Sequence, residues 1–371
     1  MTLAPSVNRI TLLLATCALW ACGQSTEPNN TAPSGGSVTS GGTAGQSGTG
    51  AGGTSASGGT AGFQTSGASG GSAGSPGSGG SAGTGDTGGT AGSGGAAGAD
   101  GGGTGGGGGV ASGALHFAAY GDTRTGFATH QQIVDRIAKL DPQLIIHSGD
   151  LWDGYTQDMF RSILTKNVNV GRLLGNGLFV VSRGNHETVA DYLGFAPSLA
   201  RNNTSERFSY AVGNSFFVIL GMDPSLSAAY LEGELKKPEA AAARWRFVQS
   251  HYPVYSGGLH GASGIPAIEK VCDQYHVAVY FSGHDHLYER SHQVFGGKVV
   301  DTSDNLTMTK GTVYLVSGGG GAPLYPSNKI PTTHTNLSAY NYVDVVADAN
   351  MLTLKAYKID GSPLDSFTVR Q

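Results

Sequence analysis

Between Arg9 and Arg124 the chain contains no lysine and no arginine, and from Gly23 to Gly113 its single aromatic residue is Phe63. A stretch so poor in charge and in large apolar side chains cannot bury enough surface to offset the entropy of ordering it. It holds 37 of the 62 glycines of the chain, interspersed with serine, threonine and alanine. This composition predicts a flexible, disordered spacer over residues 23–113, with a root-mean-square reach of roughly 50 Å for about 90 glycine-rich residues. The 371-residue chain is therefore expected to fold over 114–371 only, close to the upper size for a single core.

Cysteine is also scarce, with Cys17, Cys22 and Cys272 as the full set. Long apolar runs are absent as well: residues 10–21, behind Arg9, are too short to span a bilayer comfortably and read as the core of an export signal over 1–22. The end of that run, Leu19-Trp20-Ala21-Cys22, resembles the lipobox of bacterial lipoproteins, which implies cleavage before Cys22 and acylation of its sulfur. Cys17 would then leave with the signal and Cys272 would stand alone, so an internal disulfide is excluded. The alternative is an ordinary secreted protein cut nearby. The expected location is outside the cytoplasm, either secreted or held by an N-terminal lipid anchor at the cell surface or in the periplasm. A net charge of −4 with scattered lysines and arginines argues against a nucleic-acid partner.

From Leu115 onward short apolar runs alternate with amphipathic ones. "LHFAAYGD" and "QLIIHSGD" read as strands flanking a helix over 127–140, whose Ile133, Val134, Ile137 and Leu140 share a face. Strand, helix, strand in this order predicts a largely parallel, buried sheet. Further strands are expected in "LFVVSRGN", "RFSYAVG", "SFFVILGMD", "RFVQSHYPV" and "VAVYFSGHDH", with helices near 231–243 and 265–275. After Gly311 the chain turns β-rich, and Asn350 and Asp360-Gly361 mark turns. The class is α/β, with two sheets facing each other.

Five of these strands finish in polar residues: Gly121-Asp122, Gly149-Asp150, Gly184-Asn185-His186-Glu187, Ser250-His251 and Gly283-His284-Asp285-His286. Ligand-binding groups of α/β sheets gather at the carboxyl ends of strands. Glycine before the polar residue permits a tight turn and close approach of a ligand. Aspartate, asparagine and imidazole together suit zinc, manganese or iron. His284 and His286, on alternate positions at a strand end, are expected to point to one side.

The order GD, GD, GNHE, H-x-P-x-Y and GH-x-H-x-YER resembles the calcineurin-like metallophosphoesterases, and "HYPVYSG" with "GHDHLYER" is most similar to their purple acid phosphatase branch. The resemblance implies a four-layer α/β/β/α sandwich of two mixed sheets, and a hydrolase in which two divalent or trivalent metal ions (iron, manganese or zinc) activate a hydroxide against a phosphoester. Carried over by position, Asp150 would bridge both ions. Asn185, His251 and His284 would complete one site, and Asp122 and His286 would belong to the other. His186 and His260 would hold the phosphate and protonate the departing oxygen. Tyr288, Glu289 and Arg290 would help position the histidine pair.

Two positions depart from the family pattern. The first metal is usually completed by a histidine two residues after the first aspartate, or by a tyrosine three residues after the bridging aspartate; here these are Arg124 and Asp153. Three readings stay open: Asp153 is itself a ligand, the first ion is held weakly by Asp122, Asp150 and His286 alone, or Tyr155 reaches it through a local bulge. Asp153-Gly154 is also a common turn pair. Arg124 would either fork onto the substrate phosphate or pair with Asp153 or another acid at the rim. His116, His130, His147, His276, His292 and His334 are expected to be structural or exposed. The function expected first is phosphomonoester hydrolysis. Phosphodiester hydrolysis on the same site, governed by the loops at 192–206 and 259–264, and a non-catalytic binding module with a degraded first metal site are the alternatives.

Overall fold

The structure is a computed structural model that describes residues 113–195 and 205–371. The expected export signal over 1–22, Cys22, and the spacer up to residue 112 lie outside the described residues, as does part of the 192–206 loop.

Strands β1 (Leu115–Tyr120), β2 (Leu144–His147) and β3 (Phe179–Val181) alternate with helices α1 (Phe127–Leu140), α2 (Gln157–Thr165) and α3 (Val168–Gly175), and α4 (Val189–Phe195) follows. Next come β4 (Phe208–Val212), β5 (Ser215–Ile219), α5 (Ala228–Leu235), α6 (Pro238–Ala242) and β6 (Trp245–Gln249). A two-stranded hairpin, β7 (Tyr255–Ser256) with β8 (Ala262–Ser263), precedes α7 (Pro266–Gln274) and β9 (Val279–Ser282). The β-rich end comprises β10 (Tyr288–Phe295), β11 (Lys298–Asp301), β12 (Asn305–Thr307), β13 (Thr312–Ser317) and β14 (Thr333–Leu337). It closes with β15 (Asn341–Ala347), β16 (Met351–Lys358) and β17 (Pro363–Arg370).

One sheet has the order β12-β17-β16-β15-β1-β2-β3; the other runs β11-β10-β13-β9-β6-β5-β4, with β14 paired on β10. Both are mixed rather than largely parallel. In each, parallel strands that feed helices carry antiparallel wings. The sheets face each other through aromatic side chains: Phe117 of β1 meets Phe217, Phe247 and Phe281 of β5, β6 and β9 edge-on, at ring separations of 5.4, 5.3 and 5.9 Å. Strand alternation sends Phe217 and Ile219 into that shared core, while Phe216, Val218 and Leu220 face Leu231, Leu235, Ile268 and Cys272 of α5 and α7. On the far side, Ile133, Phe160 and Leu173 of α1, α2 and α3 cover the first sheet, completing the four layers. Cys272 is buried and unpaired.

The helix expected over 231–243 is two helices, because Pro238 cannot continue α5 and instead begins α6 at its first turn. Helices α2 to α4 were not expected; Thr156 caps α2 by accepting the Met159 amide at 3.2 Å.

Candidate metal centre

Strands β1, β2 and β3 run parallel, as do β5, β6, β9 and β13, so the carboxyl ends of each set share one sheet edge. Hydrogen bonds join the two edges. The His284 amide donates to Asp122 Oδ1 at 2.9 Å, His251 Nδ1 lies 2.7 Å from the Ser148 carbonyl oxygen, and Gln249 Nε2 donates to the His147 carbonyl at 2.7 Å. The five polar strand ends thereby meet in one place.

Three of these residues hold left-handed backbone, with φ of 59° at Asp122, 55° at Asp150 and 70° at His284. Such conformations are costly for residues with a Cβ and cluster at functional sites. The preceding glycines act through space as well as through turning. A Cβ on Gly184 would collide with Asp150 Oδ1, and one on Gly283 with Asp122 Oδ2. His284 lies beyond the end of β9, so the His-x-His pair does not point to one side as strand alternation would have it. His284 Nδ1 approaches Asn185 Oδ1 at 3.1 Å, whereas His286 Nε2 faces Asp122 Oδ1 at 3.8 Å.

One ligand atom each from Asp122, Asp150 and His251, all buried, lie within 4.8 Å of one another. Asp122 Oδ2 is buried with no hydrogen-bond partner among the described residues. Burial and then the charge of Asp150 push the Asp122 carboxyl well above its ordinary range. His251 is held below the ordinary imidazole range by burial, and burial takes His284 down to about 3 and His286 down to about 4. The Ser148 carbonyl fixes the proton of neutral His251 on Nδ1, which leaves the Nε2 lone pair directed at Asn185 Oδ1 (2.8 Å) and Asp150 Oδ1 (3.4 Å). Likewise the Pro323 carbonyl, 2.7 Å from His286 Nδ1, leaves its Nε2 as an acceptor. Lone pairs converging on carboxylate oxygens repel each other unless a cation lies between, so this donor set fits a bound metal ion.

Asp153 stands apart from that group. Half exposed, it places Oδ2 3.1 Å from His186 Nδ1 and 3.8 Å from Arg124 Nη1. Arg124 is 7% exposed and sets Nε 3.3 Å from Asp150 Oδ2, with Nη2 donating to the Tyr325 hydroxyl at 3.4 Å. Arg124 thus pairs with Asp153 at the rim, as one of its two sequence readings has it, and also with the buried Asp150; both contacts leave a fork onto a phosphate open. Tyr155 does not bulge toward the carboxylates; its hydroxyl donates to the carbonyls of Leu151 (2.8 Å) and Thr123 (3.0 Å). Asp304, His334 and Asp365 form another acidic cluster, already filled by the buried Arg290 guanidinium at 2.7 Å from Asp304 and 2.6 Å from Asp365. Arg290, with Tyr288 bound to the same Asp365, ties β10 to β17; neither side chain contacts the histidine pair that the triplet was expected to position.

The His186 amide donates to Asp150 Oδ1 at 3.1 Å, and its ring lies between Asp153 and Asp150. His260 rests its ring on His284 with centroids 4.1 Å apart, and its Nδ1 and amide both meet Asp285 Oδ1, at 3.1 and 3.0 Å. Asp285, Glu187 and Tyr325 are the residues sequence reasoning left without a role. Glu187 accepts the amides of Asp150, Leu151 and Gly184, at 3.1, 2.6 and 2.8 Å, and so shapes the loop that carries the bridging candidate. Tyr325 stacks on His286 with centroids 4.0 Å apart. Asp285 and Glu187 stood inside quoted motifs and could have been found there; nothing near Tyr325 in sequence marks it.

A family model described as calcineurin-like phosphoesterase matches residues 115–288. Purple acid phosphatase 23 of Arabidopsis thaliana is 26% identical over 163 residues, 38% of this chain and 34% of that protein. Purple acid phosphatase 5 of the same plant is 25% identical over 224 residues, covering 55% of this chain and 52% of its own length. The chain thus spans about a third to a half of these relatives. Among solved structures, a purple acid phosphatase from yellow lupin (Lupinus luteus) seeds superposes with a TM-score of 0.56 at 19% identity, over 70% of this chain and 54% of that one, which supports the same fold.

Proposed function

Because residues 115–288 belong to the calcineurin-like phosphoesterase family, we propose that this chain is a metal-dependent hydrolase of phosphate monoesters. The observation that carries the reading is the meeting of buried Asp122 Oδ2, which has no partner among the described residues, with histidine lone pairs at the joined sheet edges. Asn185, His251, His284 and Asp150 would hold one metal ion. Asp122, Asp150 and His286 are the donors for another, in surroundings they share with the Arg124 guanidinium. Metal ions held there would place positive charge against the phosphate oxygens and acidify water.

The chain's own residues supply the rest. His186, after β3, lies 3.9 Å from Asp150, and His260, in the turn of the β7–β8 hairpin, stacks on His284, so a phosphate lying over Asp150 and His284 would meet both imidazoles. Asp285 occupies Nδ1 of His260, which leaves Nε2 for the substrate. That nitrogen would deliver the proton the departing oxygen needs, a contribution typically worth about 10² to 10⁴ in rate. The lipobox-like Leu19-Trp20-Ala21-Cys22 and the glycine-rich stretch behind it support a location outside the cytoplasm, tethered by lipid.

The test is turnover of 4-nitrophenyl phosphate and of bis(4-nitrophenyl) phosphate by the full chain. It is to be stripped with chelator, then refilled with manganese, iron or zinc. Stripped protein should be inactive, refilled protein should prefer the monoester, and Asp150→Asn should abolish activity with every metal. No turnover of either ester with any metal would leave a binding module as the surviving reading.

A further inference from the structure

Arg124 stands where the family places a metal-binding histidine, and its side chain turns inward. Its backbone is pinned there: the Thr123 and Arg124 amides both donate to the Asp150 carbonyl, at 2.9 and 3.1 Å, and the Thr125 amide donates to the Asp153 carbonyl at 2.6 Å. The guanidinium lies against Asp150 Oδ2 at 3.3 Å through Nε, against Asp153 at 3.8 Å through Nη1, and against the Tyr325 hydroxyl at 3.4 Å through Nη2. Tyr325 in turn stacks on His286 at 4.0 Å. The group therefore contacts one first-site donor directly and another through a single ring. A guanidinium keeps its charge at any physiological pH. A divalent ion placed among Asp122, Asp150 and His286 would meet that fixed positive charge across a buried, weakly screened space. Among the described residues no lysine or arginine is hydrogen-bonded or ion-paired to Asn185, His251 or His284, whose side chains meet Asp150, the Ser148 carbonyl, Tyr252 and His260; Arg124 reaches that group only through Asp150, which both sites share.

We infer that Arg124 replaces the first metal ion of the family, so that this chain binds one metal ion, held by Asp150, Asn185, His251 and His284, with the guanidinium as the second positive charge facing the phosphate. The inference rests on the metal-dependent reading above and narrows it. A guanidinium can neutralise a phosphate oxygen and donate hydrogen bonds to it, but it cannot coordinate water. In this chain Asp122 and His286 would then line the site without ligating a metal ion, and the His251 lone pair directed at Asn185 and Asp150 would carry the metal-dependent reading by itself.

The experiment is metal content per chain, by inductively coupled plasma mass spectrometry, after loading the full-length protein with manganese or zinc and dialysing. The wild type should hold one ion, and Arg124→His, which restores the usual ligand, should approach two. His286→Ala should still hold one ion, whereas His251→Ala should hold close to none. In the manganese-loaded Arg124→His variant, the electron paramagnetic resonance spectrum should show a coupled pair that the wild type lacks. Two ions in the wild type, or loss of the ion in His286→Ala, overturns the role of Arg124 while leaving the hydrolase reading intact. No ion in any form overturns both. Wild-type stoichiometry decides the matter even if the Arg124→His chain fails to fold.

Discussion

Asp285 is fully buried and touches His260 twice, so its carboxylate sets where that imidazole stands. A group that positions a proton donor matters most when the leaving oxygen is a strong base, and little when the departing anion is stable without a proton. Asp285→Asn and His260→Ala are therefore expected to lower kcat/KM for a simple alkyl phosphate by about 10²-fold or more, within the usual range for general acid catalysis. Loss on 4-nitrophenyl phosphate should be slight, because 4-nitrophenolate leaves unaided. Steady-state kinetics on the two esters, with melting temperatures as a folding control, reads the difference. Equal losses on both would mean that the pair only props up the loop.

At the scale of elements, α1 shows how a helix legible in sequence can carry a consequence that was not. The spacing of Ile133, Val134 and Ile137 predicts its bounds and its buried face. His130 on the same helix is also fully buried, against Tyr120, His147 and Phe160, and burial lowers its imidazole to about 3. The folded form thus refuses a proton that the unfolded chain takes below about 6.5. Its contribution to stability is complete above pH 6.5 and is lost as pH falls toward 3, by about 2 kcal/mol at pH 5 from one such group. Urea midpoints of chelator-treated protein at pH 7.5 and 5.0 should show that loss, and His130→Phe should shrink it; an unchanged pH slope in the variant would falsify the assignment. Strand ends were legible for a related reason: a glycine and a polar residue closing an apolar run is a local pattern, and Asp122, Asp150 and His251 do meet. Partners that depend on a distant loop were not legible. Tyr325 reaches His286 and Arg124 only because the chain after β13 folds back over the site. Pro238 was in plain view, yet the apolar spacing over 231–243 hid the break it makes.

At the scale of the whole molecule, the described fold starts with β1. From Leu115 onward two sheets close on each other, and every candidate donor comes from strand ends within that fold. Every one of those donors lies after Leu115, so on the proposed reading of an export signal and a lipid on Cys22, anchorage and chemistry should be separable by mutation. An acyl chain contributes about 0.8 kcal/mol per buried methylene to membrane binding, and on the proposed reading Cys22 is the one atom site that carries it. Cys22→Ser, expressed with the native leader, should move the protein from the detergent phase to the aqueous phase on Triton X-114 partition. Its kcat/KM toward 4-nitrophenyl phosphate should match that of the detergent-solubilised wild type. A variant that still enters the detergent phase would remove the lipid anchor from the proposal and leave ordinary secretion. One that partitions into water but loses activity would mean that the segment before Leu115 takes part in the site, against the placement of every donor described above.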